Sequence, residues 1–408
     1  MEALKNVIRE GVTAFHTVSY VKGQLLQCGF RELEYGAPWK VEQGEGYVIT
    51  PYPSMLIAIR IGELQETSSL RLATSHTDSP CLKIKSNPEL PGEYYVRMNV
   101  EPYGGLLKTT WFDRPLGVAG KVILKGEDAF HPQIRYVKSE RAICIIPSLA
   151  PHLAKGTEQK EINIQQEMIP IVGLYETDGR NELLDYDLYL YNTEQPESIG
   201  LHGELISAPR IDNLASVAAL LEAMEAMASV KHSNIAVAAM FDNEEIGSRS
   251  KQGADSVLLQ QILEKLGFAL GVEEIKWKDI LAKGFLLSMD GAQGYHPNYP
   301  EKSDPTNPVY LGKGLVIKTS ASQRYLSDSE ASAILKELCR YAEVPWQQQV
   351  NRSGMPGGQT LGPILSSYLP MQGADVGIPM LAMHSARELA AYEDYKGLRE
   401  LAKVFYRL

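Results

Sequence analysis

No cysteine in the chain has a partner near it in sequence: Cys28, Cys81, Cys144 and Cys339 stand singly, and no CxxC pair occurs. That spacing excludes a zinc ribbon, a redox couple and a disulfide framework, and it reads as four reduced thiols. Positive charge is short as well. Lysine and arginine number 40 against 50 acidic residues, a formal net charge of −10, which disfavours nucleic acid and anionic membrane surfaces as partners. No apolar run approaches the roughly 20 residues needed to cross a bilayer. The opening stretch "MEALKNVIREGVTAFHTV" lacks the basic start, apolar stretch and small-residue cleavage site of a signal peptide, so a cytoplasmic location is expected. Internal repeats and low-complexity tracts are missing. The glycine-rich "MPGGQTLG" lacks the Lys-Ser/Thr ending of a phosphate loop, and ATP is not expected.

What is present is enough apolar material for real cores: 44% of 408 residues, room for two or three domains or one large domain carrying an insertion. Residues 2–29 show apolar positions at helical spacing, closing at Gly29, and predict one or two helices. "GYVIT", "SMLIAIRIG" and "LRLATSH" predict strands. From about Cys81 to Ala208 short β-like runs ("YYVRMNVEPYGG", "GVAGKVILKG", "AICIIPS", "MIPIVGLY", "DYDLYLY") alternate with turns. The helix–strand rhythm then returns, with "NLASVAALLEAMEAMASV" and "ELAAYEDYKGLRELAKVFYRL" as helices and "NIAVAAMF", "GFLLSMD" and "GIPMLAMH" as strands. The expected fold is α/β: a mixed-sheet catalytic domain in two segments, 1–82 and 209–408, interrupted by a mostly β insertion over 83–208.

Chemistry-bearing residues collect where these strands end. His76 and Asp78 lie in "SHTDSP", Asp212 in "RIDNLAS", Glu244 and Glu245 in "DNEEIGS", Asp290 in "SMDGAQ" and His384 in "AMHSARE". Zinc takes about four nitrogen or oxygen ligands, so two ions sharing one bridging carboxylate can be held by five side chains with positions left for water. Asp78, two residues after His76, falls on the same face of an extended segment and can orient the imidazole. Adjacent ionised Glu244 and Glu245 repel unless cations neutralise them or one keeps a proton. One can ligate while the other, Glu244, moves a proton. Each residue taken singly has a plain structural alternative. Asp212 can be a helix N-cap, the acid pair a favourable first helical turn, His384 a core histidine. Five metal-suited side chains at five separate junctions argue jointly for two divalent ions.

The stretches "SHTDSP", "VEPYGG", "WFDRPLGVAG", "RIDNLASV", "DNEEIGSRSKQGA", "HPNY", "LVIKTSASQRY", "GGQTLGPI" and "MHSARE" resemble, in order and spacing along nearly the whole chain, the aspartyl aminopeptidase family of dizinc metallopeptidases. The resemblance implies that His76 and Asp290 hold one zinc, that Asp212 bridges, and that Glu245 and His384 hold the other. Glu244 is then the general base and Asp78 the orienter of His76. It further implies removal of N-terminal residues, Asp or Glu among them, by a metal-activated water, and assembly through the β insertion into dimers and a hollow dodecamer. His152 resembles a histidine that reaches a neighbouring subunit's site, and Lys318, His296 and Tyr325 fall where relatives contact substrate, Lys318 suiting an acidic side chain. Each also has an ordinary surface or packing role open to it. Two positions depart from the family's pattern, Gln293 where a histidine is usual and Gly357-Gly358 where Cys-Gly is common; neither is an expected ligand. The rival readings are another dizinc hydrolase, such as a deacylase, and a non-catalytic oligomeric scaffold. Retention of Glu244 speaks against the scaffold.

Overall fold

The computed structural model of the chain describes residues 2–90, 94–154, 161–173, 183–355 and 357–408. Its backbone is a nine-stranded mixed sheet. The strand order is Arg31–Glu32, Gly46–Tyr52, Met55–Ile61, Ile235–Phe241, Leu70–His76, Phe285–Met289, Gln372–Gly377, Leu315–Lys318, Trp346–Gln349. The strand Ile235–Phe241 is buried at every position, which is why "IAVAAMF" shows no polar alternation. Helices Glu2–Glu10, Ala14–Gln27, Ile211–Met227, Ser329–Tyr341 and Tyr392–Arg407 cover one face. Leu258–Ala269, Glu274–Ala282 and Leu361–Tyr368 cover the other. Ile211–Met227 packs beneath Glu2–Glu10 and Tyr392–Arg407, so it is apolar on nearly all sides. Its Leu214, Val217 and Leu220 are fully buried, each contributing on the order of 1.5–3 kcal/mol.

A second sheet is antiparallel throughout, in the order Gln133–Lys138, Leu116–Leu124, Leu183–Asn192, Cys81–Leu90, Val96–Tyr103, Ile171–Gly173. It has its own core, with Leu82, Trp111, Leu116, Ile146 and Leu190. The second N-terminal helix docks on it, the Phe15 ring stacking on Tyr136 at 6.2 Å. A small third sheet joins Glu197–Ile199 and Leu205–Ala208, both within the segment 83–208, to Glu388–Ala391, Pro379–Leu381 and Ala292–Gln293.

Three elements differ from the sequence expectation. "AICIIPS" makes only isolated bridges at Cys144 and Ile145, because Ile146 turns inward to the β core and Pro147 has no N–H for a ladder. "GIPMLAMH" is divided between two sheets, Gly377 closing the strand Gln372–Gly377 and Pro379–Leu381 forming a separate one; Ala382 and His384 adopt left-handed φ of 56° and 65° and end it. "ELAA" is a strand, paired on both sides, and the last helix starts at Tyr392. Pairing with neighbours overrides the helical periodicity there.

The register decides the rest. His76 stands opposite Phe241 and Ser288 opposite Thr74 in parallel ladders, so three central strands end together. Their carboxyl ends deliver His76, Asp242 to Glu245, and Asp290 to one edge of the sheet, where open α/β sheets place their sites. Gly377 makes this possible for Asp290: a Cβ there would stand 1.7 Å from the Asp290 carbonyl oxygen.

Candidate metal centre

His76, Asp212, Glu244, Glu245, Asp290 and His384 all line one cleft of about 410 Å³. His76 Nε2 faces Asp212 Oδ1 at 3.5 Å and Asp290 Oδ1 at 3.4 Å. His384 Nε2 faces Asp212 Oδ2 at 3.6 Å and Glu245 Oε2 at 3.3 Å. The two oxygens of Asp212 thus point to two different clusters. Both, His76–Asp212–Asp290 and Asp212–Glu245–His384, have their donor atoms within 4.8 Å of one another.

These separations fit a cation better than hydrogen bonds. A hydrogen bond between nitrogen and oxygen spans about 2.7–3.2 Å, whereas ligands about 2.0–2.1 Å from a tetrahedral zinc stand roughly 3.3–3.4 Å apart. The tautomers agree. His76 Nδ1 lies 3.1 Å from the Asp78 carbonyl and His384 Nδ1 lies 3.2 Å from the Gly105 carbonyl. A carbonyl only accepts, so Nδ1 carries the proton that meets it and Nε2 is the nitrogen left to ligate an ion. Without an ion the surrounding carboxylates raise both imidazoles against the effect of burial, so these carboxylates draw a positive charge into the cleft. Asp212 Oδ1 and Glu245 Oε1 are moreover buried without any hydrogen-bond partner, a cost that a bound ion removes. The donor set fits two divalent ions.

Electrostatics of the side chains by themselves show the same crowding. Burial pushes the Glu244 carboxyl up to about 8, with His76 opposing and Asp290 adding to the rise. Glu245 is raised well above the carboxylate range by burial and by Asp212. Burial raises Asp212 too, yet attraction to the neighbouring His384 and His76 imidazoles outweighs it and holds this carboxyl below its ordinary range. Of the three acids in "DNEE", Asp242 does not line the cleft; it is buried and its carboxyl is pushed up to about 7 by that burial and by Asp78.

Local structure explains the placement. Asp212 does not cap its helix: the N-cap is Arg210, and Asp212 has non-helical backbone angles. Its N–H donates to Glu388 Oε2 at 2.9 Å. Glu244 and Glu245 sit on a short turn entered through Asn243 at φ 62° and left through Gly247 at φ 96°, residue types that tolerate left-handed backbone. Both acids donate their N–H to the Asp78 carboxylate at 3.2 Å. That carboxylate also lies 3.4 Å from His76 Nδ1.

Lys318 and Tyr325 line the same cleft and are buried, 2% and 5% exposed. The Lys318 ammonium donates to the Gly291 carbonyl, lies 3.6 Å from Asp290 Oδ2 and sits over the Tyr325 ring. It is therefore no solvated surface lysine. His296 and His152 are not brought to the cleft by this chain. His296 is half-buried and accepts from the Asn298 N–H; His152 is exposed in a turn. Two residues with a role here were missed from sequence, Glu388 and Tyr103. Tyr103 stands in the quoted "VEPYGG", and Glu388 is a fully buried acid whose only signal was its place in "HSARE".

The chain as a whole is similar to known proteins. The model of the family described as aminopeptidase I zinc metalloprotease (M18) covers residues 7–182 and 176–406. The chain belongs to this family. It is 41% identical over 426 residues to the probable M18 family aminopeptidase 2 of Clostridium novyi (strain NT), with 99% of this chain and 98% of that protein covered. It superposes on a chain of the cryo-EM structure of the Ape4 and Nbr1 complex with a TM-score of 0.94 at 31% identity, covering 99% of this chain and 84% of that one. The S. cerevesiae mApe1 dodecamer structure gives 0.85 at 24% identity, covering 99% and 95%, and shows the common fold. As an M18 member the chain is a zinc-dependent aminopeptidase, a hydrolase of peptide bonds. Among the described residues no helix is long and apolar enough to cross a membrane.

Proposed function

We propose that His76 and Asp290 hold one zinc, Glu245 and His384 the other, and Asp212 both, with Glu244 as general base and Asp78 as the group that orients His76. The observation carrying this reading is the split of Asp212: Oδ1 toward His76 and Oδ2 toward His384, at 3.5 and 3.6 Å. Two zinc ions in such a site supply charge that acidifies a water and polarises the scissile carbonyl. Glu244, within 4.8 Å of His76 and Glu245 and assigned to neither metal position, takes a proton from the attacking water. It passes that proton to the departing nitrogen as the C–N bond breaks, leaving a free N-terminal amino acid and a shortened peptide.

The reading extends to substrate choice. The ammonium has three N–H donors; one goes to the Gly291 carbonyl and Asp290 Oδ2 lies 3.6 Å away, which leaves donor capacity for a carboxylate at the end of an Asp or Glu side chain. An acidic N-terminal residue is the preferred substrate on this account. A panel of aminoacyl substrates, each with a free and an acetylated N-terminus, tests it. Preference for Asp and Glu that disappears in Lys318→Met, with acetylated peptides untouched, supports the proposal; equal rates on Leu and Asp substrates would reject it.

Assembly follows the same lines. The insertion over 83–208 is the dimerisation unit, and dimers build a dodecamer like that named for S. cerevesiae mApe1. His152 is flanked by Leu149 and Leu153, 60% and 64% exposed, an apolar turn suited to a neighbouring subunit, whose site it would complete. The cytoplasm, where four unpaired cysteines stay reduced, is the location this reading assigns.

A further inference from the structure

We propose that the turn Tyr103–Gly104–Gly105 is a positioning element of the metal centre, through which the β sheet of the insertion sets how tightly the ions are held. This rests on the ligand assignment above. Three consecutive residues touch the outer side of both metal positions. The Tyr103 hydroxyl donates to Asp78 Oδ2 at 2.8 Å and accepts from Asn243 Nδ2 at 2.8 Å. Asp78 is the carboxylate that already gathers the N–H groups of Glu244 and Glu245 beside His76. Gly104 has φ +74°, and a Cβ on it would stand 3.0 Å from Glu245 Cβ. The Gly105 carbonyl accepts from His384 Nδ1 at 3.2 Å, which fixes the tautomer that turns Nε2 toward Asp212 and Glu245.

The strand before the turn secures it. Val96–Tyr103 pairs antiparallel with Cys81–Leu90, Tyr103 lying opposite Cys81, three residues after Asp78. The Tyr103 ring also meets Tyr189 edge-on at 5.7 Å. A shift of the insertion sheet thus moves Asp78 and the Gly105 carbonyl together, and with them both histidine ligands. Hydrogen-bond partners of ligands govern metal affinity by roughly 10–100-fold.

The test is zinc affinity, measured on the full chain by competition with a chromogenic chelator, for wild type, Tyr103→Phe, Gly104→Ala and Tyr189→Phe. The last removes a hydroxyl from the same aromatic pair without touching Asp78. Tyr103→Phe and Gly104→Ala are expected to bind zinc about 10–100-fold more weakly, with each metal-free variant still folded at the assay temperature and KM with excess zinc unchanged. Wild-type affinity in Tyr103→Phe overturns the proposal, as does an equal loss in Tyr189→Phe that tracks metal-free stability. If wild type itself binds fewer than two zinc ions, the ligand assignment falls and this inference with it.

Discussion

The Glu388 carboxylate accepts the backbone N–H of Asp212 at 2.9 Å through one oxygen and that of His384 at 2.8 Å through the other. One buried side chain, 2% exposed, thereby fixes the backbone of two residues that lie 172 positions apart and face the same point. Glu388→Gln keeps the volume but places an amide NH₂ against one of the two N–H donors. A buried donor left without an acceptor costs about 1–3 kcal/mol. The variant is expected to lose that much stability in denaturant unfolding and to bind zinc at least tenfold more weakly by metal analysis after dialysis. Wild-type metal content at limiting zinc would remove Glu388 from the supporting frame.

Glu244 differs from its neighbour in what surrounds it. Glu245 reaches His384 at 3.3 Å, whereas Glu244 lines the cleft without an ion pair to either histidine. Glu244→Gln preserves shape and hydrogen bonding but cannot take a proton. Turnover is expected to fall by about 10²–10⁴-fold, with two zinc ions per chain retained and KM little changed. Loss of metal along with activity would instead make Glu244 a ligand.

Much of this centre was legible before any coordinates, and the reasons are local. His76, Asp290 and the acid pair each terminate an apolar run, and a strand's end is visible in composition. Asp212 was harder: beside "NLASVAALL" it reads as an N-cap, and only the fold shows its backbone leaving the helix. Glu388 was invisible. "ELAA" carries helical periodicity into the last helix, and its strand character comes from pairing with Leu205–Ala208, 180 positions away. Tyr103 could be quoted in a motif but not assigned, because its partner Asp78 meets it only through a hairpin whose pairing is set by tertiary contacts.

Metal removal should act on stability as well as on rate. In the chain without ions, Asp212 Oδ1 and Glu245 Oε1 are buried and unpartnered, and bound zinc stabilises the folded state by mass action, about 2.7 kcal/mol at a free concentration a hundred times Kd. Treatment with chelator is expected to abolish peptidase activity and lower the melting temperature, both restored by zinc. In Asp212→Ala, which removes the carboxylate between the two clusters, chelator and zinc should no longer shift the melt. An unshifted melt in wild type would mean that the ions contribute nothing to folding and would contradict the crowding argument.

His16 predicts an acid sensitivity where the second helix meets the insertion sheet. Its Nδ1 lies 2.8 Å from the Thr13 hydroxyl that caps the same helix, and its ring packs near Tyr136 of the insertion sheet. Burial, helped by the Lys138 ammonium and opposed by Glu10, lowers the imidazole from 6.5 to about 4. The unfolded chain therefore binds this proton more readily than the folded one between those values, and stability rises with pH there. The contribution is complete above about pH 6.5 and is lost as pH falls toward 4. Partial exposure of the ring screens it, leaving about 1–2 kcal/mol. Chemical unfolding of wild type and His16→Gln at pH 7 and pH 4.5 isolates this part from all other titrations. The wild type should lose about 1–2 kcal/mol more than the variant on acidification, and parallel losses would show that the protonated ring is accommodated where the N-terminal helix meets the insertion.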